Sequence, residues 1–176
     1  MLPSLSTSPG RPADVHDQDD FEGLIRPLML PAYRLAYGML RDRAEAEDAV
    51  QEAALRAWQH RRSFHAGAQL RPWFFAIVAN QCRSARRGRW WSVLRLAEPD
   101  RLQGHQADEE ILDLRRALAR IGYDERLVLV LRYYMDLGYE EVALTLGISE
   151  QAARSRTHRA VRRLRPQLVV LEEPLA

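Results

Sequence analysis

The chain has 176 residues, 26 basic and 24 acidic, with a formal net charge of +2 and 47 % hydrophobic content. That length fits one ordinary domain or two small ones, and the composition argues against wholesale disorder. No run of about 18 apolar residues is available to cross a bilayer. The opening MLPSLSTSPGRPADVHD lacks the basic stretch and apolar run of a secretory signal. A single cysteine, Cys82, excludes an internal disulfide and any multi-cysteine metal site. Together these features predict a cytoplasmic protein. The five histidines (16, 60, 65, 105 and 158) are scattered, and no Gly-rich phosphate loop or nucleophile motif is present. No metal, cofactor, small-molecule substrate or catalytic residue is therefore expected.

All the basic residues are Arg and none is Lys. Genome composition explains most of this bias, yet it gives every basic site a planar, permanently charged fork suited to phosphates and guanine edges. The charge is blocked along the chain: −3 over 1–20, +6 over 21–92, −3 over 93–110, +4 over 111–165 and −2 at the end. Two basic blocks with an acidic linker and acidic tails predict two small domains, and nucleic acid is the natural partner of such blocks. The expected division is a tail over 1–20, a domain over 21–91, a linker over 92–110, a second domain over 111–171 and a tail over 172–176.

Helical spacing recurs along the first block, so the predicted fold class is all-α. From Ala44 to Trp58, the residues Ala46, Ala49, Val50, Ala53 and Ala57 share one side, a narrow face for close helix packing. The opposite side carries Glu45, Asp48, Gln51, Glu52 and Arg56 with Leu55 and, at its edge, Trp58. This is either a docking surface for a basic protein groove or a solvated face whose Trp58 folds back into the core. The segment SFHAGAQLRP (63–72) is either a plain connector or a loop able to hold an unstacked base.

A helix is predicted from Pro72 to Arg87, with proline in the first turn where its missing N–H costs nothing. Phe74, Ile77, Val78, Gln81 and Ala85 face inward; Trp73, Ala76, Asn80, Arg83 and Arg87 face outward. The outward mixture of aromatic, amide and guanidinium groups suits stacking on bases and binding phosphates. Trp90 and Trp91 are expected to close this domain's core. LVLVLRYY (127–134) could be a strand by composition alone, but its setting fits a buried helix better. From Tyr139 the chain has helix-turn-helix spacing, with Ala143 in the first helix, Gly147 at the turn and Ala153 in the second. Ser149 is placed to cap the second helix. On that helix Ala153, Thr157, Ala160 and Leu164 form a core edge. Gln151, Arg154, Ser155, His158, Arg159 and Arg162 form the opposed edge, and Arg163 lies nearer its flank.

Taken together, AEAEDAVQEAALRAW, LRPWFFAIVANQCRSARRGRW and DERLVLVLRYYMDLGYEEVALTLGIS with SRTHRA resemble a bacterial RNA polymerase sigma factor. The class is extracytoplasmic function (ECF), of the sigma-70 family, and the resemblance runs from Phe21 to Leu168. It implies a transcription initiation factor with two helical domains and three partners: the RNA polymerase core (clamp and flap), promoter DNA and an anti-sigma factor. By position it gives Asp48, Gln51, Glu52 and Leu55 to core polymerase. It gives Phe64, His65, Gln69, Trp73, Asn80, Arg83 and Arg87 to the −10 element and its melting. Gln151, Arg154, Ser155, His158, Arg159 and Arg162 fall to the −35 element. Two departures stand out. Gln151-Ala152-Ala153 replaces the family's Gly-Thr-Val, and Ile121-Gly122 replaces its Leu-Pro. A helix-turn-helix regulator that binds DNA without polymerase is the alternative function; the docking helix and the outward basic face argue against it.

Overall fold

The computed structural model describes residues 18–64, 69–93 and 109–172. Most of the expected N-terminal tail and linker, and the last four residues, lie outside that range. Among the described residues every regular element is helical. The first unit comprises α1 (Gln18–Ile25), α2 (Met29–Leu40), α3 (Arg43–Gln59) and α4 (Leu70–Val93). The second comprises α5 (Glu109–Arg120), α6 (Tyr123–Leu129), α7 (Tyr139–Leu146) and α8 (Glu150–Glu172).

Helix boundaries follow local chemistry. The α1 helix begins inside the stretch read as tail, because Phe21 and Ile25, four residues apart, are both buried and share one helical face. The turn after α2 is made by Arg41 in the left-handed region (φ +62°). Asp42 then caps α3, its Oδ1 accepting the Glu45 N–H at 2.8 Å. The alanine seam of α3 is wholly buried, and it packs on both α2 and α4. Small side chains there let the helices approach closely, while Phe74, Phe75, Leu35 and Met39 supply the bulk of the core. Each such side chain contributes roughly 1.5–3 kcal/mol when fully buried.

The segment 127–134 is helical, not a strand, but its second half is wider than an α-helix. Val130–Tyr134 forms a π-type turn, closed by the Met135 N–H on the Val130 carbonyl at 2.9 Å. Leu127 to Leu131 are buried, whereas Tyr133 and Tyr134 project into solvent. The second unit is assembled around α8, against which α5, α6 and α7 all pack.

The two units share one hydrophobic core. The π-type turn lies on α2, and α7 lies on α4. At Gly38 the helices come close: a Cβ there would stand 3.1 Å from Val130 Cγ1 and 3.4 Å from Tyr134 Cδ1.

Candidate nucleic-acid interface

The helix-turn-helix is built as its spacing predicts. Gly147 ends α7 in the left-handed region (φ +64°), a conformation that costs an L-residue roughly 1–2 kcal/mol. The N–H of Ile148 returns to the Ala143 carbonyl at 3.0 Å. Ser149 Oγ accepts the Ala152 N–H at 3.2 Å, capping α8. Ala143 and Ala153 are buried at the crossing, as are Thr157 and Ala160 one and two turns on. The Thr157 hydroxyl donates to the Ala153 carbonyl at 2.9 Å, so burial leaves it satisfied.

The opposite arc is open. Gln151, Arg154, Ser155, His158, Arg159 and Arg162 are all exposed. Arg154 is held in place: Nη2 and Nε reach Glu150 Oε1 at 2.6 and 3.2 Å, and its guanidinium stands 4.5 Å over the Tyr139 ring. Arg163 is turned away from this arc and pairs with Glu125 of α6 at 2.6 Å.

On the first unit, Asn80 and Arg83 are exposed on α4 and Trp73 is half-buried. Trp73 packs on Phe64, with ring centroids 5.2 Å apart and planes tilted by 53°, so Phe64 is held against the first turn of α4. Gln69 is exposed. His65 lies outside the described residues, as does the side chain of Arg87.

On α3, Asp48, Gln51, Glu52 and Leu55 are exposed. Asp48 and Glu52, with Glu45, form the acidic wall of an open groove of about 460 Å³ whose other side is Gln81, Ser84 and Ala85 of α4. Glu52 also binds Arg56 Nε at 2.8 Å. Trp58 leaves the acidic face and packs against Phe21, centroids 5.7 Å apart, under the Arg61 guanidinium at 3.5 Å.

A third face of α4 was not foreseen. Phe75, Ala79 and Cys82 are buried beside the expected inward face. The Tyr123 hydroxyl donates to the Ala79 carbonyl at 2.6 Å. Around this contact Arg83 pairs with Asp124, Arg71 with Glu141 at 3.2 Å, and Gln69 Nε2 reaches Glu140 at 3.4 Å. Arg126, only 6 % exposed, donates to the Met39 carbonyl in the last turn of α2 at 3.2 Å. The available signal was the spacing of 75, 79 and 82, a second apolar stripe on a helix already apolar on one side.

The fold agrees with the comparisons. Residues 24–92 match the family model for sigma-70 region 2, and residues 117–166 match that for sigma-70 region 4. The chain is 33 % identical over 141 residues to the ECF RNA polymerase sigma factor SigL of Mycobacterium tuberculosis, covering 76 % of this chain and 80 % of that one. It is 32 % identical over 165 residues to the RNA polymerase sigma factor CarQ of Myxococcus xanthus, covering 90 % and 95 %. Among solved structures, it superposes with a TM-score of 0.69 on the sigma factor RpoE of Bartonella quintana, crystallised with the anti-sigma factor NepR. Identity there is 27 %, covering 86 % of this chain and 98 % of that one. With both regions matched in order, and a helix-turn-helix whose polar arc is open, the chain belongs to the ECF RNA polymerase sigma factors, which bring RNA polymerase to promoter DNA.

Proposed function

We propose that this sigma factor divides its work among three surfaces. The acidic wall of α3, with Asp48, Gln51, Glu52 and Leu55, docks on a basic groove of the core polymerase clamp. The 64–70 loop and the outer face of α4 take the −10 element. A base extruded from the duplex is received by the loop, a step that costs a few kcal/mol of unstacking. The exposed arc of α8 reads the −35 element in the major groove. The chain contributes no bond chemistry, acts in the cytoplasm, and is held by an anti-sigma factor, as its relative RpoE is bound by NepR.

The observation that carries this reading is the division of α8. Its buried edge, Ala153, Thr157 and Ala160, anchors the helix to the fold and leaves the six polar residues of the other edge outward. Run-off transcription by purified core polymerase on a promoter library tests it. The expected result is transcription, only in the presence of this chain, from promoters sharing a −35 and a −10 motif. A chain that retards promoter DNA tightly alone, and adds nothing to core polymerase, would overturn the assignment.

A further inference from the structure

Arg154 is gripped from two helices at once. Glu150, one turn earlier on α8, takes the side edge of the guanidinium: Nε and Nη2 both donate to its Oε1, at 3.2 and 2.6 Å. Tyr139, the first residue of α7, supports the same group, with its ring centroid 4.5 Å from the guanidinium carbon. That ring is itself set from the turn before α7. The Arg132 guanidinium stands 5.2 Å from it, and Arg132 Nη1 reaches the Leu137 carbonyl at 3.4 Å and Asp136 at 3.5 Å. We propose that Tyr139 and Glu150 are positioning residues for base recognition, holding Arg154 as a fixed fork for the O6 and N7 edge of one guanine in the −35 element. This rests on the reading of α8 as the −35 helix.

With its side edge on Glu150, Arg154 keeps its end edge for DNA. Nη1 and the second Nη2 proton are two parallel donors, matched to the two acceptors that guanine shows in the major groove. The side chains of Arg154 and Glu150 are 59 % and 49 % accessible, so the fork is held without being covered. An arginine ordinarily gives up rotamer freedom when it binds; here the ordering is already present in the folded chain, which favours the one geometry it holds. The carboxylate is the informative part. Beside DNA it repels phosphates, so an arc made only for backbone contact is weakened by it. For base reading it acts the other way, fixing the angle of the fork and opposing its swing toward a phosphate. Arg159, on the same helix, is tethered separately, its Nε reaching the Ser155 carbonyl at 3.4 Å.

The test uses the full chain with core polymerase on promoters randomised at −35. Arg154→Ala first locates the position that Arg154 reads. At that position Tyr139→Leu, which keeps an apolar side chain against the core, should cut the guanine preference about two- to fivefold, the range of an exposed cation–π contact. Glu150→Ala should cut it about twofold. Tyr139→Phe keeps the ring and should keep the parent's preference. The position relaxed by Arg159→Ala should stay unchanged in all three. In an Arg154→Ala background, Tyr139→Leu and Glu150→Ala should change that position no further, since the group they hold is gone. Parent-like guanine preference in both Tyr139→Leu and Glu150→Ala would overturn the proposal. So would equal relaxation at every −35 position, the mark of a role in folding alone. An unaltered motif in Arg154→Ala would instead remove the −35 reading of this arc, and the proposal with it.

Discussion

Arg163 of α8 donates to Glu125 of α6 at 2.6 Å, and the other oxygen of that carboxylate accepts the Gly122 N–H at 3.3 Å. One side chain therefore ties the start of α6 to the middle of the recognition helix. The N–H it uses exists because the chain has Gly122 where the family has proline.

This pair separates stability from recognition. Arg163→Ala should lower the unfolding free energy by up to about 1 kcal/mol, the range of partly exposed ion pairs, and leave the selected −35 motif unchanged. Urea denaturation gives the first quantity and transcription from promoters randomised at −35 gives the second. A changed motif would mean that Arg163 reads bases.

Arg154→Ala and Arg159→Ala are expected to do the reverse. A bidentate arginine–guanine contact discriminates by about 1–3 kcal/mol, roughly 5- to 150-fold, so preference at single −35 positions should relax with little loss of fold. Gln151→Gly should relax one further position, because its amide is able to pair with adenine. The same promoter library reports all three, and an unaltered motif in each would remove α8's open arc from base reading.

Asp48→Arg combined with Glu52→Arg should abolish co-purification with core polymerase. Both side chains are exposed on the groove wall, so helicity and melting behaviour should stay near those of the parent. Reversed charge repels a basic partner; unchanged co-purification at moderate salt would sink the docking surface.

A fourth expectation concerns alkaline pH. Burial pushes the Cys82 thiol up to about 12 from an ordinary 9, against a backbone hydrogen bond that acts the other way. Burial likewise raises Tyr123, helped by the neighbouring Cys82. Both groups keep their protons in the folded chain after the unfolded chain has begun to lose them. Their contribution to stability is therefore complete below about pH 9 and is lost as pH rises toward 12. Chemical denaturation across that range should show the decline, and Cys82→Ala with Tyr123→Phe should flatten it. A decline of equal size in the double variant would assign it elsewhere.

Much of this was legible in the sequence because helical period and capping act locally. The alanine seam of α3, the Gly147 turn, the Ser149 cap and the two edges of α8 each follow from residues within a few turns of one another. What escaped was long-range. Phe75, Ala79 and Cys82 are buried beside helices some 40–70 residues away in sequence, and periodicity on one helix cannot say which partner covers a second apolar stripe. Trp58 shows the same limit at smaller scale. Its position on the helical wheel put it at the edge of the acidic face, and only contact with Phe21 and Arg61 decided that it turns inward.

The wide turn at Val130–Tyr134 bears on how this chain could tolerate change in length. A turn closed from residue 135 back to residue 130 holds one residue more than an α-helical turn. Deleting a single residue there would let the backbone relax into an ordinary helix, with its hydrogen bonding repaired. Because the extra residue already stands outside the α-helical repeat, its removal would be absorbed within that turn, and the chain beyond would keep its direction. Tyr133 and Tyr134 would be re-aimed, while the helix-turn-helix would stay where it is. A frame-preserving deletion of one codon at this point is thus a change in length that the DNA-reading end of the protein would hardly register.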